Sequence, residues 1–333
     1  MGVIGTLGAF VGEREIKYSG PKLTTPDAEQ LREIFAQMID LGVKTVVMEV
    51  SAHGIAQGRV RDLTFRVGVL TNITQDHLDY FKTFEAYEQT KLGWFNGESV
   101  QVGIRATVRP NFMESNREVC AQVAREMGVS ERVIRRRVRS LEPVSGRFNI
   151  LAIKKNKAVI IDYDRAKRGH MRLPLVVIDY AHTPDGLEKV LGMAREITKG
   201  RLISVFGCGG NRDTTKREIM GKISAELADF TVITSDNPRN ESPKVIMLQI
   251  EAGVKAGESG VFVGGKGAVL GSGRHVLVED RREATEFAIE MARAGDVVVI
   301  AGKGAETTQE IAGVFHPYVD ADVVRDILRA KRR

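Results

Sequence analysis

The sequence predicts an α/β protein of two domains, the second built on an open, doubly wound parallel sheet. Its 333 residues are enough for two separate cores. From about Leu173 onward, short β-branched runs alternate with helical periods, the pattern of a parallel α/β sheet. The loops after four of those runs read DYAHTPD, GCGGNRD, SDNPR and GKGAE, all polar, Gly-rich or charged. Loops at the carboxyl ends of such strands hold ligands, so these four place a site in the C-terminal half.

Taken in order, the Gly-rich start is followed by Thr24-Thr25-Pro26-Asp27, where Thr25 or Asp27 can cap a helix carrying Leu31, Ile34, Phe35 and Met38 at helical spacing. KTVVMEV (44–50) and VGVLTNI (67–73) read as buried strands. Helices are expected at 83–95, 114–128 and 131–141, and strands at 147–154 and 157–162. The regular part then runs strand 175–180, helix 185–198, strand 201–206, helix 214–227, strand 230–234, helix 243–255, strand 275–278, helix 281–293 and strand 296–300. KAVIIDYDRAKRG (157–169) resembles LPLVVIDYAHTPDG (173–186). A short duplication or chance among β-rich strands accounts for that, and chemistry is assigned only to the second copy, which carries the His-Thr-Pro turn.

With 43% hydrophobic and 28% charged residues, the composition is that of a globular protein. No apolar run approaches the roughly 18 residues of a membrane helix, and no basic region precedes the apolar residues of MGVIGTLGAF, so the expectation is a cytoplasmic monomer with no membrane partner. Cys120 and Cys208 are far apart and form neither a disulfide framework nor a metal-ligand spacing. The formal charge of +6 comes partly from RVIRRRVR (132–139) and the tail RAKRR. No aromatics are interleaved there, so nucleic acid is not expected, whereas an anionic nucleotide or sugar phosphate suits the excess charge.

Glu49 at the end of one strand and His77 after the next are donors suited to a hard cation such as Mg²⁺, and Lys91 lies inside a helix beyond them. Each has an ordinary structural reading too: a solvated strand-end carboxylate, a helix-capping Asp-His pair, a surface lysine. In VITSDNPRNESP (232–243) a β-branched run stops at a cluster of turn formers ending in a guanidinium, which is either a bare turn or a pocket for an amino acid.

Seven blocks sharpen these readings. MEVSAHGIAQGRV, TNITQDHLDYFKTFEAYEQTK, LEPVSGRF, VIDYAHTPDGLEKVL, FGCGGNRDTTKREIMG, TSDNPRNESP and AGKGAETTQEI resemble, in order, the motifs of the Mur ligases, ATP-dependent amino-acid-adding enzymes of peptidoglycan synthesis, in their tripeptide-synthetase type. The resemblance implies a central, P-loop-like but incomplete domain at 1–145 and a C-terminal Rossmann-like domain at 146–333. It implies Glu49, His77 and Lys91 as the catalytic Mg²⁺ site, with Lys91 carbamylated. Thr24, Thr25, Ser51, Gln57 and Arg59 match positions that hold UDP-MurNAc-L-Ala-D-Glu, and His182, Asn211 and Asp213 fall where ATP is met. Arg212, Asp236, Asn237, Arg239, Gly302 and Glu306 match the pocket for the incoming amino acid. The DNPR string is characteristic of members that add meso-diaminopimelate. The chemistry agrees, because diaminopimelate has one more carboxylate than lysine and a guanidinium offers it a two-pronged hydrogen bond.

The sequence departs from the family's pattern in three places. It starts at GVIGTLGAF, which in the family follows the P-loop helix, and Gly2, Gly5, Gly8 and Gly12 carry no Gly-Lys-Thr and form no phosphate cradle. Only LGWFNGESVQVGIRATVRP separates Lys91 from NFMESN (111–116), so part of the central sheet is expected to be missing. The family's GKGHE is GKGAE, with Ala305 in place of His, and 157–172 looks inserted. Without P-loop contacts to the phosphates, worth several kcal/mol, turnover should be very slow. The expectation is therefore either a piece of a longer ligase or a non-catalytic paralogue that binds an amino acid or UDP-sugar peptide.

Overall fold

In the computed structural model, which describes residues 1–107, 109, 111–138, 141, 144–154, 157–168, 174–257 and 274–330, the chain divides into two units. One comprises Met1–Ile73, Tyr80–Val108 and Met113–Val138, the other Thr74–Asp79, Arg109–Phe112 and Arg139–Arg333. The end of the helix expected at 131–141, part of LEPVSGRF, the end and start of the two similar segments at 169 and 173, and the last residues of the tail lie outside the described residues.

The first unit opens with β1 (Gly2–Gly5), β2 (Gly8–Val11) and β3 (Arg14–Ile16), an antiparallel meander. It continues through α1 (Ala28–Asp40) to β4 (Val46–Met48), which pairs parallel with β1 and completes a sheet ordered β3-β2-β1-β4. Asp27 starts α1 with a capping box: its carboxylate accepts from Gln30 N at 2.9 Å while the Gln30 side chain accepts from Asp27 N at 3.0 Å. Leu31, Ile34 and Met38 then face Ile4, Ala9 and Ile16 in one small core. After α2 (Ala52–Ala56) comes β5 (Phe65–Leu70), and beyond α3 (Leu78–Phe81) and α4 (Phe84–Phe95) comes β6 (Val100–Arg105), which pairs parallel with β5 as a separate two-stranded sheet. The helices α5 (Phe112–Glu126) and α6 (Glu131–Val138) follow.

The structure corrects two expectations in this unit. The runs at 44–50 and 67–73 are strands, but β4 is half-buried with Val47 55% exposed, and β5 buries only Gly68 fully. Apolar runs of this kind say that a strand forms, not that both its faces are covered. The Gly-rich start, where no strand was expected, is the meander, because three- and four-residue strands broken by turns leave no periodicity to detect.

The second unit holds β7 (Asn149–Lys154), β8 (Lys157–Ile161), α7 (Tyr163–Arg168), β9 (Leu175–Asp179), α8 (Pro184–Ile197), β10 (Leu202–Phe206), α9 (Lys216–Leu227), β11 (Phe230–Ile233), α10 (Pro243–Gly257), β12 (His275–Leu277), α11 (Arg281–Met291), β13 (Val297–Ala301), the hairpin β14 (Thr308–Ile311) and β15 (Val314–Pro317), and α12 (Asp320–Ala330). Its sheet runs β12-β11-β10-β13-β9-β7-β8. The first five strands are parallel, and β7 and β8 add antiparallel to that edge, so the sheet is mixed where a parallel one was expected. All residues of β9, β10, β11 and β13 are buried, each large aliphatic one contributing roughly 1.5–3 kcal/mol. Thr183 caps α8 by accepting from Gly186 N, with Pro184 in the first turn. On the outer face α9 and α10 press together through two glycines, since a Cβ at Gly221 would lie 2.0 Å from Ile250 O and one at Gly253 1.8 Å from Glu218 O. No described helix is long and apolar enough to cross a membrane.

Candidate functional site

In the first unit, Thr25 and the residues after β4 form one knot. Thr25 has no exposed surface, its hydroxyl donates to Glu49 O at 3.0 Å, contacts Ser51 Oγ at 3.0 Å and accepts from Ser51 N at 2.8 Å. Ser51 Oγ caps α2 by accepting from Gly54 N. Arg59 donates to Thr25 O at 2.7 Å and also bonds the Gln57 side chain. Thr6 joins the group, donating to Glu49 Oε2 at 2.8 Å and lying 3.1 Å from Thr24 Oγ1. The structure thus brings Thr24, Thr25, Glu49, Ser51, Gln57 and Arg59 together. Thr25 holds the others in place and Glu49 is exposed. Lys91, on α4, donates to Tyr87 Oη at 2.9 Å and sits over that ring.

His77 belongs to the second unit, with φ +58° and its backbone N donating to Asp76 Oδ1 at 2.9 Å. Asp76 Oδ2 lies 3.5 Å from His77 Nε2 and 3.8 Å from His182 Nε2. Burial pushes the Asp76 carboxyl upward, but the neighbouring His182 and the charges of His77 and Lys216 outweigh it and hold the group well below its ordinary range. His182 Nδ1 is 2.9 Å from Tyr180 O, and since a carbonyl only accepts, Nδ1 carries the proton. Lys216, in the first turn of α9, donates to His182 O at 2.9 Å and so ties the loop after β10 to the loop after β9. Asp213 Oδ1 accepts from Thr215 N and Oγ1, while its buried Oδ2 has no partner. Asn211, at φ +52°, bonds Glu241 through its N and accepts from Asn240 N at 3.0 Å. Among the described residues no three His, Cys, Asp or Glu side chains gather as a metal site. Glu49 presents the oxygen donor that suits Mg²⁺, the imidazole of His77 is a softer donor, and Lys91 as an amine is not a ligand.

The residues expected for the amino acid meet at the ends of β10, β11 and β13. Asn237 is engaged at both ends of its amide: its Oδ1 accepts from Lys303 Nζ and Glu310 N, each at 2.9 Å, and its Nδ2 donates to Glu306 Oε2 at 3.0 Å. Lys303 is buried and also bonds Glu306 Oε2 at 2.8 Å. Asp236 Oδ2 is buried without a hydrogen bond, 3.9 Å from Arg281 Nη1, which has none either. Gly302, at φ +119°, is where it must be, because a Cβ there would lie 2.4 Å from Asp236 Oδ2. Arg239, at φ +52°, donates from Nη1 to Gly210 O at 2.8 Å and pairs through Nε with Glu310 Oε2 at 3.1 Å. Arg212 is exposed, and a Cβ on Gly209 would lie 3.8 Å from its Cγ and 3.0 Å from Arg239 Nη1.

Sequence reasoning missed Asp76, Lys216, Arg281, Lys303 and Glu310. Lys303 stands in a motif already singled out, and its neighbours could have flagged it. Arg281 gave no signal, since a charged residue in a first helical turn is normally solvated; here it forks onto Asp320, with two bonds of 2.9 Å in a site of no exposure. The thiol of Cys208 is pushed up to about 12 by burial and is inert.

Residues 1–161 match the Mur ligase middle domain, and residues 165–304 match the Mur ligase glutamate ligase domain. The chain is 33% identical over 374 residues to the UDP-N-acetylmuramoyl-L-alanyl-D-glutamate--2,6-diaminopimelate ligase of Alkaliphilus metalliredigens, covering 99% of this chain and 71% of that protein. It is 35% identical over 370 residues to ligase 1 of the same name from Clostridium acetobutylicum, covering 99% and 72%. Both matches run longer than the 333 residues present here, so these relatives have residues inside the matched span with no counterpart in this chain. A solved structure of a diaminopimelate ligase of this name aligns over 100% of the chain and 73% of its own length, at 27% identity and a TM-score of 0.53. Escherichia coli FolC in complex with DHPP and ADP shares the fold, with a TM-score of 0.61 at 17% identity over 100% of this chain and 82% of its own. Identity of this level along the whole chain, with both domain matches in order, shows that the chain belongs to the Mur ligase family.

Proposed function

We propose that the chain joins meso-diaminopimelate to UDP-N-acetylmuramoyl-L-alanyl-D-glutamate at the expense of ATP, a step of peptidoglycan synthesis. The observation that carries this reading is the convergence of Asp236, Asn237, Arg239, Gly302 and Glu306 at the ends of β11 and β13, on either side of β10, in a chain a third identical to enzymes so named. Arg212 and Arg239 are the cations for the ligand's carboxylates, and Asp236, whose buried oxygen lacks a hydrogen bond, is the anion for its ammonium. Lysine would leave one guanidinium without its anion.

ATP use is supported by FolC, which shares the fold and whose structure is a complex with ADP; His182 follows β9 and Asn211 and Asp213 follow β10, the strands on either side of β13, and loops at such strand ends suit a nucleotide. The D-glutamate carboxylate attacks the γ-phosphorus and ADP leaves. The diaminopimelate amine then attacks the acyl carbon, the C–N bond forms, phosphate departs, and the nitrogen loses a proton. Arg59, Ser51 and Gln57 would hold the peptide acceptor, while the pocket residues orient the amine. Mg²⁺, through Glu49, His77 and a carbamylated Lys91, would supply charge neutralisation at the phosphates.

A coupled phosphate-release assay with UDP-N-acetylmuramoyl-L-alanyl-D-glutamate and diaminopimelate tests the reading. Release that requires both substrates supports it. Calorimetric binding of diaminopimelate with no release of phosphate would instead make the chain a non-catalytic binding protein.

A further inference from the structure

Arg239 is not an open cation. Glu310, on β14, reaches it two ways, the carboxylate taking Nε at 3.1 Å and the Glu310 carbonyl accepting from Arg239 N at 3.2 Å, while the Glu310 N–H donates to Asn237 Oδ1 at 2.9 Å. The Arg239 carbonyl in turn accepts from Ala312 N at 2.7 Å, so the turn and the hairpin strand are stitched along Arg239 and Ile311. The two side chains are about equally covered, 22% and 23% exposed, so the pair is neither fully solvated nor locked away. On the other side, Nη1 is held by Gly210 O at 2.8 Å.

We propose that Glu310 is a specificity-determining residue that neutralises Arg239 in the free protein and that an incoming carboxylate must displace or share. This rests on the assignment of Arg239 to the amino-acid pocket. A carboxylate ligand gains the full attraction of the guanidinium only after weakening its bond to Glu310, so Glu310 lowers affinity for every anion at this position. Its negative charge attracts the ammonium that both amino acids carry, and lysine, which brings no carboxylate to that end, meets only this attraction, so Glu310 works in the opposite sense on lysine. Glu310 therefore sets how steeply the pocket separates the two amino acids, and removing its charge steepens that separation. Its backbone contacts to Asn237 and Arg239 do not depend on the carboxylate.

Calorimetric titration of diaminopimelate and of lysine into the wild-type chain, Glu310→Gln and Arg239→Asn tests this. The expected result is that Glu310→Gln binds diaminopimelate about two- to fivefold more tightly, the size of one partly exposed ion pair, with lysine unchanged or weaker. Arg239→Asn weakens diaminopimelate selectively. If Arg239→Asn does so while Glu310→Gln leaves diaminopimelate unchanged or weakens both ligands, Glu310 is only structural and the inference is overturned. If Arg239→Asn affects both amino acids equally, the assignment of the pocket itself fails, whatever Glu310→Gln does.

Discussion

The two units keep their polar groups in different ways. In the second, cations are buried on the helices and loops around a sheet whose central strands are fully covered: Arg281 on Asp320, Arg217 on Glu241 and Gln249, Lys303 on Asn237 and Glu306. In the first, the corresponding knot is made of hydroxyls and backbone around Thr25, with Glu49 left exposed just after a half-buried strand. Buried ions fix geometry because a wrong geometry leaves an unpaired charge, whereas a hydroxyl knot can be loosened at lower cost. The second unit is thus built to hold the loops at its strand ends at fixed distances.

The largest expected effect breaks that contrast at its strongest point. Arg281→Ala leaves Asp320 buried and unpaired beneath Asp236 and should cost about 3–5 kcal/mol, read as a lowered urea midpoint. Gly302→Ala should cost about 1–3 kcal/mol, because φ is +119° and the new methyl meets Asp236, and diaminopimelate binding should fall with it. In the first unit, Thr25→Val removes the hydroxyl shared by Glu49 O and Ser51 and should cost about 1–2 kcal/mol. A loss there as large as that of Arg281→Ala would erase the distinction between the units.

A smaller effect concerns acid. Burial pushes the Asp296 carboxyl up, but bonds from Arg201 N and Arg293 N, with the Arg201 guanidinium, prevail and hold it below its ordinary range. The lowered folded value means that Asp296 stabilises fully above the unfolded value, about pH 4, and that this is lost as pH falls through the folded one. Asp296→Asn should therefore flatten the acid limb of a stability-against-pH curve and leave its shape above neutrality unchanged. Least affected should be Lys189→Ala, an i,i+4 surface pair with Asp185 worth about 0.3–0.5 kcal/mol.

The same contrast explains what could be read from the sequence. Strands such as LVVID and VVVIA are covered on both faces, so they appear as unbroken β-branched runs, and the loops after them are legible as the polar ends of those strands. The direction of β7 and β8 was not legible, because strand composition does not say which way a strand pairs. GVIG, GAFV and REI are too short to carry a period. Thr25 could be picked out but its role could not, since only the fold shows that its hydroxyl faces Glu49 and Ser51 and not solvent. Glu310 was invisible for a similar reason: its partner is far away in the sequence and is met only through the hairpin.

The central claim is a pocket in the second unit that selects diaminopimelate for an ATP-driven ligation. Mass spectrometry of the products formed from ATP, UDP-N-acetylmuramoyl-L-alanyl-D-glutamate and an equal mixture of diaminopimelate and lysine tests it most directly. The expected products are ADP together with the diaminopimelate-bearing tripeptide; a lysine-bearing product, or diaminopimelate bound with no product formed, would contradict the claim.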